Sequence, residues 1–516
     1  MFSKKLVKLY LFRFIGIITS ILSYAIVIPR LSSNNQSYGI YTVVVSLMML
    51  LQYADFGFLG AGQKYASEAF ARGEIFFEIE ILAFVHFILF IVVVFYSLSL
   101  VYIYFNPGLV FNSLSSIDTN LAKNLILIFI VSSPLIIIQR FVSAVFSIRI
   151  EDYVLQYVEI TSSIIKIAST FFFFQNNRYD IVGYIFFIQF LNFLSVFIEL
   201  IIIRIRYKYN FKLVLKEFRF NRKIFQLTKK MALTSIVTTV AWIMYYELDS
   251  VYVSKLYNPK TVALFAIGIT LLTFSRSLMN AFFSPFQTKF NHLRGIKDEE
   301  SLSSFFIRVI ILSFPICVIA PICIIILMKQ LIISWVGMDY IESIIISRIL
   351  IINLFFSFLL VPISYLAMAR EKFKFILISS ASLPFFYLIS YLVLVNFFGL
   401  YSFPLAKIIT LLINLIISLI LIKDLIIFSL SQLLLTITRY ITLPIFLLLA
   451  LLYTSKPLWD IAKEKNIFDF LQIVLIGSLC SITSIFFYYL LNPNTRIILN
   501  NLLSKYKPNF KKNNLI

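Results

Sequence analysis

Between Arg308 and Lys329 the sequence reads VIILSFPICVIAPICIIILM (residues 309–328), twenty residues without a charge. A helix needs about 20 mainly apolar residues to cross a hydrocarbon core of about 30 Å. The stretch has that length, and a basic residue stands at each end of it. It therefore predicts a transmembrane helix.

Apolar stretches of this kind recur along all 516 residues, of which 60% are hydrophobic and 13% charged. Soluble domains are about half apolar and a quarter charged. The alternating pattern of a membrane β-barrel strand is absent from the sequence. We therefore predict an all-α integral membrane protein with about fourteen transmembrane helices. The predicted spans are Leu9–Ile28, Gly39–Ala61, Ile79–Tyr104, Ala122–Phe146, Val154–Phe174, Ile181–Ile203, Ala232–Val253, Val262–Pro285, Phe305–Leu327, Ile344–Ala367, Phe375–Val395, Ser402–Ile422, Ile437–Tyr453 and Phe468–Leu491.

The distribution of lysine and arginine predicts the orientation of these spans. Of the 45 basic residues, thirty lie in connections on the face that includes the N-terminus, ten lie on the opposite face and five lie inside spans. Cytoplasmic connections carry the excess of positive charge in membrane proteins. Both termini are therefore predicted to be cytoplasmic. Because topology explains the net charge of +21, we do not predict nucleic acid as a partner.

The longest internal connection predicts the domain organisation. It separates an N-terminal six-helix lobe (1–203) from a C-terminal six-helix lobe (232–423), and helices 13 and 14 with a basic tail (424–516) follow. The linker itself (204–231) has ten basic residues and one acidic residue, Glu217, interleaved with apolar ones. This composition is typical of an amphipathic segment that binds anionic membrane lipids. It is equally compatible with a linker that only sets topology.

The two lobes share a weak internal repeat, which predicts pseudo-two-fold symmetry about the membrane normal. Arg30-Leu31 precedes Tyr38-Gly39-Ile40-Tyr41, and Lys255-Leu256 precedes Val262-Ala263-Leu264-Phe265. Spans 1 and 2 therefore correspond to spans 7 and 8, and both pairs start on the same side of the membrane.

Short motifs in both halves resemble one family. They are Pro29-Arg30-Leu31, Tyr38-Gly39-Ile40-Tyr41, Asp55-Phe56-Gly57, Gln63-Lys64, Glu68, Glu247-Leu248-Asp249, Leu264-Phe265-Ala266 and Pro285-Phe286. Together with the 6+6+2 layout, they are similar to the Wzx-type lipid-linked oligosaccharide flippases, which export O-antigen and capsule repeat units. These flippases form the polysaccharide transporter branch of the MOP (MATE-like) superfamily. The chain departs from the pattern at Ala263-Leu264-Phe265, where many members have a glycine before a tyrosine.

The resemblance implies a two-lobed transporter of a bacterial cytoplasmic (inner) membrane that works by alternating access. Its substrate would be a polyprenyl diphosphate carrying one oligosaccharide repeat unit, moved to the outer leaflet for capsule or lipopolysaccharide synthesis. The polysaccharide polymerase machinery is a possible partner, and H+ or Na+ a possible coupling ion. No other cofactor is implied.

Deeply placed cations are the candidate substrate-binding residues. Lys166 lies near the centre of span 5 and Arg276 near the centre of span 8, each on a polar helix face. Charges at this depth usually face a cavity or a partner, and basic side chains suit the oxygens of a diphosphate. The alternative is that each cation pairs with a buried acid. Arg13 in span 1 is a third candidate because family members often use a cation there.

The intramembrane acids are candidates for ion coupling or charge pairing: Asp55, Glu159, Glu247 and Asp249. Glu199 is a further acid of this kind, and the sequence does not separate the two roles. His86 is predicted to be a packing residue. Arg140 and Lys407 lie near span ends, so we expect their side chains to snorkel to the headgroups.

Other classes of function have less support from the sequence. Cys317, Cys323 and Cys480 lie in apolar segments, so we predict packing roles and neither a disulfide nor a metal site. No Walker-type loop or nucleophile motif occurs. Two alternatives remain open: a multidrug or metabolite exporter of the same superfamily, which normally has twelve spans, and a membrane polymerase or glycosyltransferase. The short outer connections argue against such an enzyme.

Overall fold

The computed structural model describes residues 2–53, 55, 57–112, 114–175, 178–295, 299–422, 430–493, 495 and 496, and within these ranges it contains helices and no strand. This confirms the all-α prediction. The helices are α1 (Phe2–Leu31), α2 (Asn35–Leu51), α3 (Phe58–Ala71), α4 (Ile75–Phe105), α5 (Ser116–Ser132), α6 (Leu135–Ile148), α7 (Asp152–Phe173), α8 (Ile181–Tyr207), α9 (Phe211–Glu217), α10 (Arg222–Trp242), α11 (Asp249–Leu256), α12 (Pro259–Gly295), α13 (Glu299–Val336), α14 (Ser343–Ile352), α15 (Ser357–Ala369), α16 (Phe373–Phe398), α17 (Ser402–Ile422), α18 (Leu430–Arg439), α19 (Thr442–Thr454), α20 (Lys456–Trp459) and α21 (Ile467–Leu491).

Eight helical stretches of the described residues are long and apolar enough to cross a membrane. A ninth is added if α5 and α6, which meet at an angle of 45°, form one span. The protein is thus a multi-pass membrane protein, whereas the number fourteen stays a prediction. Some predicted spans are divided: span 2 becomes α2 and α3, and span 7 becomes α10 and α11 with a π-helical turn, Ile243–Glu247, before α11.

The chain forms two compact units, residues 1–266 (unit 1) and 267–516 (unit 2), and the boundary falls inside α12. In unit 1, α1 packs on α7, α3 on α4, α2 on α5, and α7 on α8. The core of this unit consists of aliphatic and aromatic side chains such as Leu82, Phe84 and Phe146. The predicted lobes 1–203 and 232–423 remain a prediction.

Close approaches between helices within unit 1 explain why two positions of the N-terminal motifs are glycines. A Cβ atom on Gly39 would lie 1.9 Å from the backbone oxygen of Pro259, so only glycine lets α2 meet the start of α12. Gly57 has a φ of +76°, and a Cβ there would lie 2.1 Å from that of Ser235 on α10. The motif glycines are therefore required by packing and backbone conformation.

A buried ion pair links the end of α6 to the start of α4 in unit 1. Arg149, just after α6, donates two hydrogen bonds to Glu78 in the first turn of α4, at 2.8 and 3.2 Å. The Tyr209 hydroxyl donates to the same carboxylate at 3.3 Å, and the guanidinium lies over the rings of Tyr207 and Phe70. Burial, followed by the Glu78 charge, raises the pKa of the Tyr209 phenol. The phenol therefore stays a hydrogen-bond donor.

The linker is folded against unit 1 along its apolar side. Phe218 packs edge-on against Phe87 and Phe90 of α4, and Phe220 against Phe84. Asn221 caps α10 and also donates to Glu80 at 2.5 Å. The basic side chains of this segment point outward; those exposed are Arg204, Arg206, Lys208, Lys212, Lys216, Arg219, Arg222, Lys223, Lys229 and Lys230. The linker thus has the amphipathic character that its sequence predicts.

In unit 2, α13 occupies the centre and contacts α14, α15, α19 and α21. The two helices that follow the twelve predicted spans of the lobes, α19 and α21, therefore belong to the core of this unit. The three cysteines are buried and free, which confirms the packing prediction. The prediction for Lys407 is wrong: its side chain is 1% exposed, with the ammonium 4.9 Å from the centre of the Tyr387 ring. The side chain is enclosed where α16 and α17 pack against each other.

The 30-to-10 distribution of basic residues leads to a topological prediction. Single cysteines that replace the exposed residues Ser33 and Lys260 should react with an impermeant maleimide on intact cells. A cysteine at the exposed linker position Lys216 should react only after permeabilisation. The native cysteines are buried and should contribute little background. Labelling of the Lys216 position in intact cells would reverse the orientation.

Candidate functional site

Unit 1 contains a polar cavity of about 440 Å³ among α6, α7 and α8, next to the end of α2. Eleven of its fourteen lining residues are polar or charged, whereas the surrounding core is apolar. The lining residues are Gln52, Ile136, Gln139, Arg140, Ser143, Leu155, Glu159, Ser162, Ser163, Lys166, Asn192, Ser195, Val196 and Glu199. The cavity is the candidate functional site because so polar a lining is costly inside a membrane helix bundle.

The cavity has two chemically different ends. At one end the Lys166 ammonium donates to the side-chain oxygen of Asn192 at 2.7 Å. At the other end lie Glu159 and Glu199, and the charge of Glu159 interacts with both Glu199 and Lys166. Glu159 precedes Lys166 by seven residues on α7, and Glu199 follows Asn192 by seven on α8. At 1.5 Å per residue the two ends are therefore about 10 Å apart.

The structure confirms the polar face predicted for span 5. Glu159, Ser162, Ser163 and Lys166 all line the cavity, at the three- and four-residue spacing that places side chains on one side of a helix. Thr170 continues the stripe but is fully buried and donates to the backbone oxygen of Ile167. The part of the stripe that lines the cavity therefore ends at Lys166.

Arg140 also lines the cavity, so the prediction that it snorkels is wrong. Its guanidinium donates to the backbone oxygen of Gln52, the residue that caps the C-terminus of α2, at 2.7 Å. Helix C-termini attract cations because their last carbonyls carry partial negative charge. The sequence signal was available: Gln139, Arg140 and Ser143 place polar groups on one face of an otherwise apolar segment.

His86, one helix away from the cavity, is the packing residue that the sequence predicts. It is buried, its Nδ1 lies 2.7 Å from the Leu82 backbone oxygen, and its ring packs edge-on against Phe141.

Three of the predicted acids lie in unit 1 but outside the cavity lining. Glu247, the last residue of the π-helical turn, accepts a hydrogen bond from Tyr53 at 3.1 Å. Asp249 is buried at the start of α11. Asp55 is half-buried in the turn between α2 and α3, where backbone N–H groups of Gly57 and Leu59 face its carboxylate. π-Helical turns are frequent at functional sites. Ion coupling through Glu247 therefore stays a prediction.

The remaining predicted cations are not among the cavity lining residues. Arg276 is half-buried on the part of α12 that belongs to unit 2. Arg13 lies on α1, but its side chain is outside the described part of the chain. Of the predicted site residues, the structure thus brings Lys166 and Glu159 together.

The sequence matches no protein-family profile and no curated protein. Solved structures, in contrast, match along most of the chain. One described as "Lipid II flippase MurJ, inward closed conformation" has a TM-score of 0.63 and 16% identity, and covers 94% of this chain and 99% of that one. The fold of this chain is similar to that of this flippase structure.

Two structures of a multidrug resistance MATE family transporter match over a shorter range. The inward-facing conformation has a TM-score of 0.64 and 12% identity, and covers 80% of this chain and 95% of that one. The outward-facing conformation has a TM-score of 0.56 and 14% identity, with coverages of 83% and 96%. At these identities the similarity concerns the fold alone.

Proposed function

We propose that this protein is a flippase that moves polyprenyl-diphosphate-linked oligosaccharide repeat units from the cytoplasmic to the outer leaflet by alternating access. The observation that carries the proposal is the extent of the fold similarity. The flippase structure is matched over 94% of this chain, whereas the multidrug transporter structures cover 80% and 83%. The longer match favours a lipid-linked substrate over a multidrug or metabolite exporter.

The proposed roles of individual residues follow from charge and depth. Arg276 and Arg13 are the candidates for the diphosphate, since an arginine fork pairs well with phosphate oxygens. Asp55, Glu247 and Asp249 are candidates for coupling to H+ or Na+. Lys166 has two carboxylates in its cavity, and its role is therefore considered separately below.

Two further partners belong to the proposal. The exposed basic residues of the linker would bind anionic lipid headgroups at the cytoplasmic face of a bacterial inner membrane. The polysaccharide polymerase machinery would use the exported O-antigen or capsule repeat units. A polymerase or glycosyltransferase activity of the chain itself has less support, because the matched structures are transporters.

The sidedness of the accumulated lipid tests the proposed function. When the protein is depleted, single lipid-linked repeat units should accumulate facing the cytoplasm. An impermeant glycosidase or lectin should therefore reach them only after spheroplasts are lysed. A polymerase acts after translocation, so its loss would leave the same lipid facing outward. If the accumulated lipid is present in full amount and faces outward, the protein is not the flippase.

A further inference from the structure

Two carboxylates, Glu159 and Glu199, line the cavity of unit 1 without a hydrogen bond or a contact ion pair among the described residues. Glu199 is 6% exposed, whereas Glu159 is exposed and its charge interacts with that of Lys166. An ionised carboxylate buried as deeply as Glu199 costs several kcal/mol unless another group compensates it. This end of the cavity is therefore suited to a positively charged group or a strong hydrogen-bond donor.

A buried hydroxyl next to the carboxylates is also unsatisfied. Ser162 is 7% exposed, lines the cavity one turn along α7 from Glu159, and its Oγ has no hydrogen-bond partner within the described residues. Buried polar groups normally have partners, and an exception needs an explanation. Ser163 and Ser195 add two more hydroxyls between the two ends of the cavity. Several hydroxyls and amides at separate positions suit a polyhydroxylated ligand.

The charge balance of the cavity argues against a phosphate ligand. Its two cations, Arg140 and Lys166, are offset by two carboxylates, and both cations already donate to uncharged oxygens. A diphosphate placed here would face Glu159 and Glu199 without a net positive charge to attract it. What would complement this cavity is a ligand that supplies hydrogen-bond donors and positive charge.

We propose that the cavity of unit 1 is a binding site for a saccharide with a free amino group. The ammonium lies between Glu159 and Glu199, where charge-assisted hydrogen bonds are strongest. The ring hydroxyls contact the serine layer and the amide of Asn192. A volume of about 440 Å³ lies within the range of about 300–1,000 Å³ that is usual for small-molecule sites. The inference rests on the proposed function, because it makes an amino sugar part of the transported repeat unit.

Binding of monosaccharides to the purified full chain tests this site. Calorimetry or saturation-transfer NMR in lipid nanodiscs at neutral pH would compare glucosamine, N-acetylglucosamine and glucose. Glucosamine should bind at least tenfold more tightly than the other two, because acetylation removes the charge and glucose lacks the nitrogen. Equal binding of glucosamine and glucose would overturn the proposal. So would stabilisation by NaCl or by protons with no glucosamine binding.

Variants link the binding to the two carboxylates. Glu159→Gln and Glu199→Gln should each weaken glucosamine binding about tenfold, and Ser162→Ala should weaken it less. Glu74→Gln, a change in an exposed turn of the same unit, is the matched control and should bind like the unaltered protein. Unchanged binding by both cavity variants rejects the site, and the comparison of sugars remains decisive if a variant fails to fold. Sidedness of the stranded lipid tests flipping separately, so failure of one proposal is distinguishable from failure of the other.

Discussion

Arg149→Ala is expected to destabilise the protein by about 3–5 kcal/mol, the usual cost of removing one partner from a buried ion pair. The reason is the position of Glu78, whose side chain is fully buried. Without the guanidinium, the hydrogen bond from Tyr209 is the one that the carboxylate would keep among the described residues. Thermal or denaturant unfolding of the purified protein in detergent would measure the loss, and a lower amount in the membrane should accompany it.

The chain offers a matched control for this prediction. Arg72 forms an ion pair with Glu74 at 3.1 Å, but both side chains are about half exposed. Exposed pairs contribute little because water screens the charges, so Arg72→Ala should leave stability nearly unchanged. Replacing both Glu78 and Arg149 with apolar residues of similar size should recover much of the loss. Equal stability of the two alanine variants would show that the buried pair is not a structural support.

Arg276→Ala is expected to abolish export of lipid-linked repeat units while leaving the amount of protein in the membrane close to normal. Truncating one partner of a desolvated charged contact costs about 2–5 kcal/mol, which is roughly a 30-fold loss of affinity or more. Arg276→Lys should keep partial activity, because lysine retains the charge but not the fork. Surface polysaccharide per unit of membrane protein is the measurement.

The neighbouring position provides the control for Arg276. Ser277 is exposed and donates only to the backbone oxygen of Thr273, so Ser277→Ala should transport normally. Normal transport by Arg276→Ala would exclude the diphosphate role. Disappearance of the variant from the membrane would instead assign Arg276 to a structural contact within the helices.

The helical spans were readable from the sequence because they depend on a local property. A run of about 20 apolar residues has few other stable forms in a membrane, where each backbone group must be paired within its own helix. Stretches such as residues 309–328 therefore lie inside helices, here α13. The polar face of span 5 was also predictable, since helical periodicity alone places Glu159 and Lys166 on one side.

Breaks inside spans were less predictable. Span 7 ends in a π-helical turn at Ile243–Glu247, and span 2 turns at Gly57, which has a positive φ. Such breaks depend on which helices pack beside them, and these neighbours are far away in sequence. The close approach of Gly57 to Ser235 is one example.

By itself, the sequence determined that this is an all-α membrane protein with a basic amphipathic linker. Chain-local hydrophobicity and charge are sufficient for those conclusions. Only the tertiary structure decided what surrounds each intramembrane charge. Arg140 and Lys407 both looked able to reach the headgroups, yet one lines a polar cavity and the other is enclosed in unit 2. A side chain's depth follows from its own helix, whereas its partners follow from which helices pack beside it.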